Sequence, residues 1–303
     1  MLIGMDIGGT NLRVGVIDGL HLIYEKRFPA DFGKLCKTNP ADVAWRQIIH
    51  ITGSALQEAR TLYPQISAVG IGFPGFIDPL NGRIAQSPNF PGLRNVDLAS
   101  DLSTFIGLPV RVENDALAAA YGEYCLLASE TDALIYIGLG TGVGGGLIYG
   151  HKPLAGQHGV AMEVGHIIVE PNGRPCGCGN RGCMEQYASA SGVSLSYREL
   201  SGLDADANGV ASAASSGDMH AIQAYSIAGA SLAQALAHII KVVDVGQVII
   251  GGGMSLAWPL MQTAFNQRLQ TDLIPVLRDK VQINISASGD RAGILGAALL
   301  AAS

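Results

Sequence analysis

The chain is poor in charged and aromatic residues, and it lacks any excess of basic ones. Of its 303 residues, 15% are charged and 6% aromatic, whereas 48% are hydrophobic. The formal net charge of −6 and the pI near 5.6 argue against a general surface for nucleic acids or anionic membranes. The length exceeds that of a typical single domain, and the hydrophobic content is ample for buried cores. The composition favours a soluble two-domain enzyme, in which an anionic ligand would need local hydrogen-bond donors.

Targeting signals are also missing. No basic segment precedes the apolar run that begins at Leu2, so we expect no signal peptide and a cytoplasmic location. The stretch 133–150 carries no charge, but its glycines are arranged around a turn. A membrane-spanning helix is therefore not expected there.

Glycine-rich turns occur twice in similar surroundings. Gly8-Gly9-Thr10-Asn11 and Gly140-Thr141-Gly142 each lie between two apolar runs. Neither is followed by the Gly-Lys-Ser/Thr of a Walker loop, and neither opens into a helix as a dinucleotide fingerprint does. Glycine lets backbone amides approach an anion, and threonine adds a hydroxyl donor. Either turn alone is compatible with an ordinary hairpin, but the pair favours a polyphosphate site.

Cysteines are few, and three of the five are clustered. Cys176, Cys178 and Cys183 follow His166, a ligand set that suits a tetrahedral zinc site. Four protein ligands leave no open position for a metal-bound water, so the zinc is expected to hold a loop in shape. The alternatives are disulfides or unrelated buried thiols. The remaining cysteines have no patterned neighbours, which argues against a secreted disulfide framework.

Strands and helices alternate along the chain, which predicts an α/β fold. A long loop is expected after Pro74-Gly75, through Ser87 to Gly92. Ligands of open α/β folds bind where strands end, and the strand ending at Glu113-Asn114-Asp115 has such an edge. The other predicted elements are an opening strand–turn–strand, a strand over 21–27, helices over 43–62, 97–106, 116–127, 228–243 and 293–302, and strands over 69–73, 110–112 and 248–250.

Six segments together resemble the ROK family of bacterial sugar kinases. They are DIGGTNLRVGV, ENDALAAA, GLGTGVGGG, the stretch ending in MEVGH, CGCGNRGCME and GDRAGILGAALLAA. The resemblance covers essentially the whole chain and implies the actin-like, hexokinase-like ATPase fold, with two α/β domains around a cleft. We place the smaller domain at 1–115 plus about 290–303, and the larger, with the zinc loop, at 116–289.

The resemblance implies that Asp115 is the general base. An alcohol is a poor nucleophile, and a carboxylate within hydrogen-bond reach accepts its proton as the bond to phosphorus forms. The alternative is that Asp115 is only the N-cap of the helix that follows.

The nucleotide contacts also follow from the resemblance. Asp6 is expected near Mg²⁺, acting through water, although it is alternatively a turn-forming carboxylate. Asn11 stands where many relatives have lysine, so Arg13 or the metal must neutralise more of the phosphate charge. The residues expected around phosphates and nucleoside are Gly8, Gly9, Thr10, Asn11, Gly140, Thr141, Gly142, Gly252 and Gly253.

The sugar contacts implied by the resemblance are Glu163, His166 and Glu185, with Gly75, Asn89 and Asn114 on the other side of the ring. One imidazole nitrogen of His166 would bind zinc while the other donates to the sugar. The two glutamates are alternatively surface charges. Met162, where relatives usually have glycine, is expected to reshape the pocket beside Glu163.

These features predict an ATP-dependent kinase acting on a hexose hydroxyl, most simply O6 of glucose or of an N-acetylhexosamine. Fructose and allose are alternative substrates. Other readings are a ROK-type sugar-sensing regulator without its DNA-binding domain and a non-catalytic actin-like assembly module. The expected cofactors are ATP, Mg²⁺ and structural Zn²⁺. We expect a dimer or tetramer that binds neither nucleic acid nor membrane.

Overall fold

A computed structural model of the chain describes residues 1–8, 10–127, 131–289 and 291–302. The elements before residue 128 are β1 (Leu2–Ile7), β2 (Asn11–Asp18), β3 (His21–Pro29), α1 (Phe32–Thr38), α2 (Ala41–Leu62), β4 (Ala68–Phe73), β5 (Phe76–Ile77), β6 (Ile84–Gln86), β7 (Arg94–Val96), α3 (Leu98–Ile106), β8 (Val110–Asn114) and α4 (Asp115–Leu126). Those after residue 130 are β9 (Leu134–Leu139), β10 (Val143–Tyr149), β11 (Lys152–Pro153), α5 (Glu185–Ala188), α6 (Ala190–Ser201), α7 (Ala207–Ser215), α8 (Met219–Val243), β12 (Gln247–Gly251), α9 (Trp258–Asp272), β13 (Gln282–Ile285) and α10 (Arg291–Leu300). Short 3₁₀ turns lie at Val164–His166, Gly253–Ala257 and Pro275–Leu277.

The two large sheets have equivalent strand orders. The first is β3-β2-β1-β4-β8, in which β1 and β2 are antiparallel while β4 runs parallel to both β1 and β8. The second is β11-β10-β9-β12-β13, with β12 parallel to both β9 and β13. Each glycine turn therefore belongs to its own sheet, and the two sheets have the same arrangement of strands. The predicted α/β class is confirmed.

The chain forms two compact units. The first contains Met1–Asp132, Gly146–Ala161 and Asp290–Ser303, and the second contains Ala133–Gly145 and Met162–Gly289. The first unit includes α4, which the predicted domain boundary after Asp115 assigns to the other domain. The packing reason is that α4 lies against α10. The division of the chain into functional domains stays a prediction.

Helix α10 lies on one face of the first sheet at backbone contact distance. Where it meets β1, β4 and α4, an added Cβ on the glycine of each contact would overlap a carbonyl oxygen of the facing residue. Only residues without a side chain permit such an approach. The contacting pairs are Gly4 with Ile294, Gly70 with Ala297, Gly122 with Ala292, and Gly296 with Ala118.

The other face of the first sheet is covered by the main core of the first unit. Ile3, Met5 and Ile7 alternate along β1, are almost fully buried, and belong to the same apolar cluster as Leu56 of α2 and Leu102 of α3. The period of two in β1 therefore separates a core face from the face that α10 covers.

Helix α8 is the central helix of the second unit, and it starts earlier than the predicted Ala228. Asp218 caps it by accepting hydrogen bonds from the N–H groups of His220 and Ala221. In the described part of the chain, α8 is the one helix long and apolar enough to cross a membrane by length and composition, but half of its apolar window is buried. It packs against α6 and α9, as a core helix does.

The prediction of a long loop after Pro74-Gly75 is wrong in part, because this segment contains the small antiparallel sheet β5-β6-β7. Each strand has only two or three residues. A period of two cannot be recognised over so short a run, so the sequence pattern carries no strand signal there.

The close contact of α10 predicts opposite effects for two alanine substitutions in that helix. Gly296→Ala should lower the free energy of unfolding by about 1–3 kcal/mol or more, since the new methyl group would meet the backbone of α4. Gly293→Ala is the matched control: nothing lies within 4 Å of its Cβ position, so it should gain up to about 1 kcal/mol of helix propensity. Urea unfolding would show the difference. Equal effects of the two substitutions would contradict the contact.

Candidate functional site

The junction of β8 and α4 presents two polar side chains. Asn114 is the N-cap of α4: its Oδ1 accepts from the N–H of Leu117 at 3.0 Å. The alternative in which Asp115 is only the N-cap is therefore wrong, because Asp115 is the first helical residue. Its Oδ1 accepts from the N–H of Ala116 at 2.8 Å. Burial raises the pKa of the Asp115 carboxyl, although the N–H of Ala116 acts in the opposite direction. The result is a carboxylate more basic than an exposed one.

The predicted sugar contacts of the first unit lie together around Ser87. The Ser87 hydroxyl donates to the carbonyl of Pro74 at 2.5 Å and accepts from the N–H of Asn89 at 3.2 Å. The amide of Asn114 donates to the carbonyl of Gly75 at 3.2 Å. Asn114 thus caps α4 with its oxygen and holds the Gly75 turn with its nitrogen. Ser87 was not identified from the sequence, because a buried serine in a loop has no periodic signature.

The first glycine turn is closed by a hydrogen bond from the N–H of Gly8 to the carbonyl of Asn11, at 2.9 Å. The Asn11 amide donates to the Thr10 hydroxyl at 3.0 Å. Asp6, just before the turn, lies 3.9 Å from the guanidinium of Arg13. Gly9 lies outside the described residues. The turn joins β1 to β2, as predicted.

The second glycine turn is tighter than the first and is tied to Glu185. The N–H of Gly140 donates to the carbonyl of Gly142 at 2.9 Å. Oε2 of Glu185, the first residue of α5, accepts from the N–H of Val143 at 3.0 Å. Gly142 leaves room for this carboxylate, since an added Cβ would lie 2.5 Å from the same oxygen. One oxygen of Glu185 is therefore engaged by the turn.

A cavity of about 750 Å³ opens beside this turn within the second unit. Its size lies in the range of small-molecule sites. It unites Gly140 and Thr141 with Gly253, while Gly142 and Gly252 are not in its lining. The α7 residues of its wall were missed, because nothing in their sequence distinguishes them from a surface helix. The lining is Gly140, Thr141, Ala190, Asp206, Ala207, Asn208, Ala211, Ser215, Tyr225, Gly253, Met254, Leu256, Ala257, Pro259 and Leu260.

The predicted metal ligands also come together. Their donor atoms, from His166, Cys176, Cys178 and Cys183, all lie within 4.8 Å of one another. The Sγ atoms of Cys178 and Cys183 are 3.6 Å apart. Bonds of about 2.3 Å to a tetrahedral Zn²⁺ imply a separation of about 3.8 Å between sulfurs, whereas a disulfide requires about 2.05 Å. All five cysteines are free, so the disulfide alternative is wrong.

The Cys183 thiol resists ionisation without a cation, whereas a hydrogen bond from the backbone of Asn180 lowers the pKa of Cys178. Burial, with the neighbouring thiols of Cys178 and Cys176, raises the pKa of Cys183 to about 12. Zinc binds thiolates, so it would have to displace this proton. The donor set and its spacing fit a structural zinc ion.

The ring of His166 has two different neighbours. Its Nδ1 lies 3.7 Å from the Sγ of Cys176, and its Nε2 lies 3.8 Å from Oε2 of Glu163. A metal at Nδ1 would fix the tautomer with the proton on Nε2. That proton then points to the side on which Glu163 lies.

Arg174 anchors the cysteine loop to the helices that follow it. Its guanidinium stacks 4.5 Å from the ring centre of Tyr187, donates to the carbonyl of Gln186 at 2.6 Å, and pairs with Glu199 of α6 at 2.5 Å. The planar guanidinium allows stacking and several directional bonds at once. The loop with the thiols and the helix with Glu185 are therefore held as one structure.

A family model with the description ROK family matches residues 2–303. The chain belongs to the ROK family. Another ROK protein, a glucokinase from Streptomyces griseus with a crystal structure in complex with glucose and AMPPNP, has a TM-score of 0.82 and 32% identity over 99% of both chains.

Curated proteins with similar sequences include sugar kinases. A glucokinase of Thermotoga maritima is 36% identical over 314 aligned residues, covering 98% of this chain and 96% of that protein. An N-acetyl-D-glucosamine kinase of Escherichia coli is 33% identical, covering 99% of both. With the ROK structure, they confirm the predicted family and hexokinase-like α/β fold class.

The contact between Glu185 and the second turn predicts different effects for two glycine substitutions. Gly142→Ala should displace the carboxylate from Val143 and lower the free energy of unfolding by about 1–3 kcal/mol. Gly140→Ala is the control, since the nearest atom to its Cβ position is 3.9 Å away. Chemical denaturation of both variants measures the difference. The contact is refuted if Gly140→Ala is the more destabilising.

Proposed function

We propose that this protein transfers the γ-phosphoryl group of ATP to a hexose hydroxyl, O6 of glucose or of an N-acetylhexosamine. The observation that carries the proposal is the Asp115 carboxylate, made more basic by burial, at the start of α4 beside Asn114 and the Gly75 turn. The sugar-kinase relatives and the glucose and AMPPNP of the ROK glucokinase structure support the same reaction.

Asp115 acts as the general base in this proposal. The sugar hydroxyl donates a hydrogen bond to its carboxylate and gives up the proton as the oxygen bonds to phosphorus. A raised pKa suits this task, because the proton acceptor is then stronger than an exposed aspartate. Asn114, through the cap and the bond to Gly75, keeps this carboxylate at the helix start.

The sugar is held by groups that form hydrogen bonds with its hydroxyls. In the first unit these are Gly75, Asn89 and Asn114, and in the second they are Glu163, His166 and Glu185. Carboxylates and amides have fixed hydrogen-bonding directions, so a sugar that lacks a partner hydroxyl leaves them unsatisfied. His166 donates from Nε2, on the same side as Glu163.

The nucleotide occupies the cavity of the second unit, where Gly253 approaches the nucleoside. The backbone amides and threonines of the two glycine turns, residues 8–11 and 140–142, bind phosphate oxygens. Mg²⁺ supplies neutralisation of the phosphate charge when bound. Asp6 is the carboxylate that faces it, through water.

Zinc is held by His166, Cys176, Cys178 and Cys183 and keeps the loop folded. The spacing of the donors and their kind, one imidazole and three thiols, support this assignment. We further propose a cytoplasmic homo-oligomer that binds neither nucleic acid nor membrane, in line with its net charge of −6.

Asp115→Asn tests the reaction. ADP release is measured with glucose, N-acetylglucosamine, N-acetylmannosamine, fructose and allose, and one of the first three should give the highest kcat/KM. The variant should lose on the order of a hundred- to ten-thousand-fold in kcat, while sugar affinity stays close to the parent. Parent kcat/KM should fall as pH drops through the raised pKa of Asp115.

Stability provides an independent check on the same variant. The folded-state pKa of Asp115 is raised, so its stabilising contribution is present below the unfolded pKa and is lost as pH rises through the folded pKa. Asp115→Asn should therefore unfold no more easily than the parent near pH 7. Turnover within about threefold of the parent would refute the role of Asp115, and ADP release that ignores every sugar would favour the assembly alternative.

Cys178→Ser tests the zinc site. The parent should contain close to one zinc per chain, and the variant should lose metal and about ten- to a hundredfold in sugar affinity, because the His166 ring is no longer fixed. Nucleotide affinity of the folded fraction should change little. Cys36→Ser, outside the cluster, is the control. Metal-free parent protein with full sugar affinity would contradict the assignment.

A further inference from the structure

A row of charged residues crosses the first sheet. In register, Arg27 of β3 pairs with Arg13 of β2, and Arg13 pairs with Asp6 of β1. Asp6 pairs with Gly72 of β4, which in turn pairs with Glu113 of β8. Directly paired residues point to the same face of a sheet. All five strands therefore contribute to one row on one face.

The row lies on the face that α10 covers, and it reaches the start of α4. Gly4 and Gly70, two residues before Asp6 and Gly72 on the same strands, contact α10. The Cβ position of Gly72 lies 3.5 Å from the Cα of Asp115. Along β1 and β4, the row therefore lies two residues nearer the carboxyl ends of the strands than the contact with α10. This places it beside Asp115, the proposed general base.

Cations are scarce around the proposed phosphate site. Residues 8–12 and 138–146 contain no lysine or arginine. The single charged residue in the lining of the cavity is Asp206, an acid. A nucleoside triphosphate bound at either turn therefore depends on the metal and on a cation from another part of the chain.

Arg13 is the cation placed next to the proposed metal-facing carboxylate. Its guanidinium is 3.9 Å from Oδ2 of Asp6, and the two side chains are 18% and 23% exposed. Partial burial weakens solvent screening, so this pair interacts more strongly than a surface ion pair. The direct pairing of β1 with β2 holds the two residues in register.

We propose that Arg13 is a positioning residue for the magnesium-bound nucleotide and that it acts through Asp6. The guanidinium holds the Asp6 carboxylate in one orientation, toward the metal, and offsets part of the negative charge that Asp6 adds beside the phosphates. This inference rests on the proposed ATP-dependent function. Arg13, in β2, would thereby make the binding of Mg²⁺ and nucleotide cooperative.

Titration calorimetry with AMPPNP at a series of Mg²⁺ concentrations tests the inference. Arg13→Gln should weaken AMPPNP binding at saturating Mg²⁺ by about tenfold, the usual size of an effect transmitted through a metal-facing residue. Without Mg²⁺ the affinity should change less than about twofold. Arg27→Gln, in the same row but exposed and one strand further from Asp6, should behave like the parent.

A double-substitution cycle separates action through Asp6 from direct contact with phosphate. In an Asp6→Asn background, Arg13→Gln should cause no further loss of affinity. Further loss there, or equal weakening with and without Mg²⁺, would overturn the proposal in favour of direct phosphate binding. Arg13→Lys keeps the charge without the planar fork and should restore part of the metal dependence. Arg13→Lys also replaces Arg13→Gln in the test if the thermal transition shows that Arg13→Gln does not fold.

The parent protein distinguishes failure of this inference from failure of the proposed function. A parent that binds AMPPNP with a dependence on Mg²⁺, together with a folded Arg13→Gln variant that keeps the full dependence, overturns the role of Arg13 alone. A parent that does not bind AMPPNP at any Mg²⁺ concentration overturns both.

Discussion

The backbone contact between α10 and the first sheet is the constraint on which the first unit depends. Gly4 and Gly70 let the helix lie directly on β1 and β4, and Gly296 lets it approach α4 equally closely. The contact is made by backbone atoms and involves no functional side chain. It determines how closely α10 packs against both α4 and the sheet, whereas the start of α4 follows from the register of β8 with β4. A core of larger side chains would leave more freedom, since side chains repack more easily than backbones move.

The second unit is organised by charged side chains. Glu185 joins the helix after the cysteine loop to the second glycine turn, and Arg174 joins the loop itself to the same helices. A metal at the thiols would therefore influence the turn through two short connections. Such a network is costly if it is only partly satisfied, which is why the loop and α5 are expected to fold together.

Met162 is an unusual residue in this unit. Its φ of 64° lies in the left-handed region, which favours glycine. The carbonyl of Met162 accepts from the N–H of Val164 at 2.7 Å, so the conformation is part of the tight turn that places Glu163. Strain of this kind persists where the surroundings determine the backbone, and it is common at binding sites. The glycine that the family resemblance leads one to expect at this position would relieve it.

The residues that we propose as ligand contacts were recognisable in the sequence because their chemistry is local. A glycine turn between two apolar runs, or three cysteines within eight residues, has the same meaning whatever surrounds it. The two turns were predicted as a polyphosphate site, and the structure adds that each belongs to a sheet of equivalent strand order. Some regular elements were equally predictable, because α2 has a helical period and β4 is a short apolar run that ends at Pro74-Gly75.

Tertiary structure decided what depends on neighbours distant in the sequence. Asn114, and not Asp115, caps α4. This follows from where β8 ends against β4. The α7 wall of the cavity and the early start of α8 follow from packing and from the Asp218 cap. The charged row through Arg13 and Asp6 exists only because the strands pair in one register. Sequence determines which groups are present and how they are spaced locally, whereas strand register and close helix contacts determine which of them meet, since these are set by packing across the whole unit.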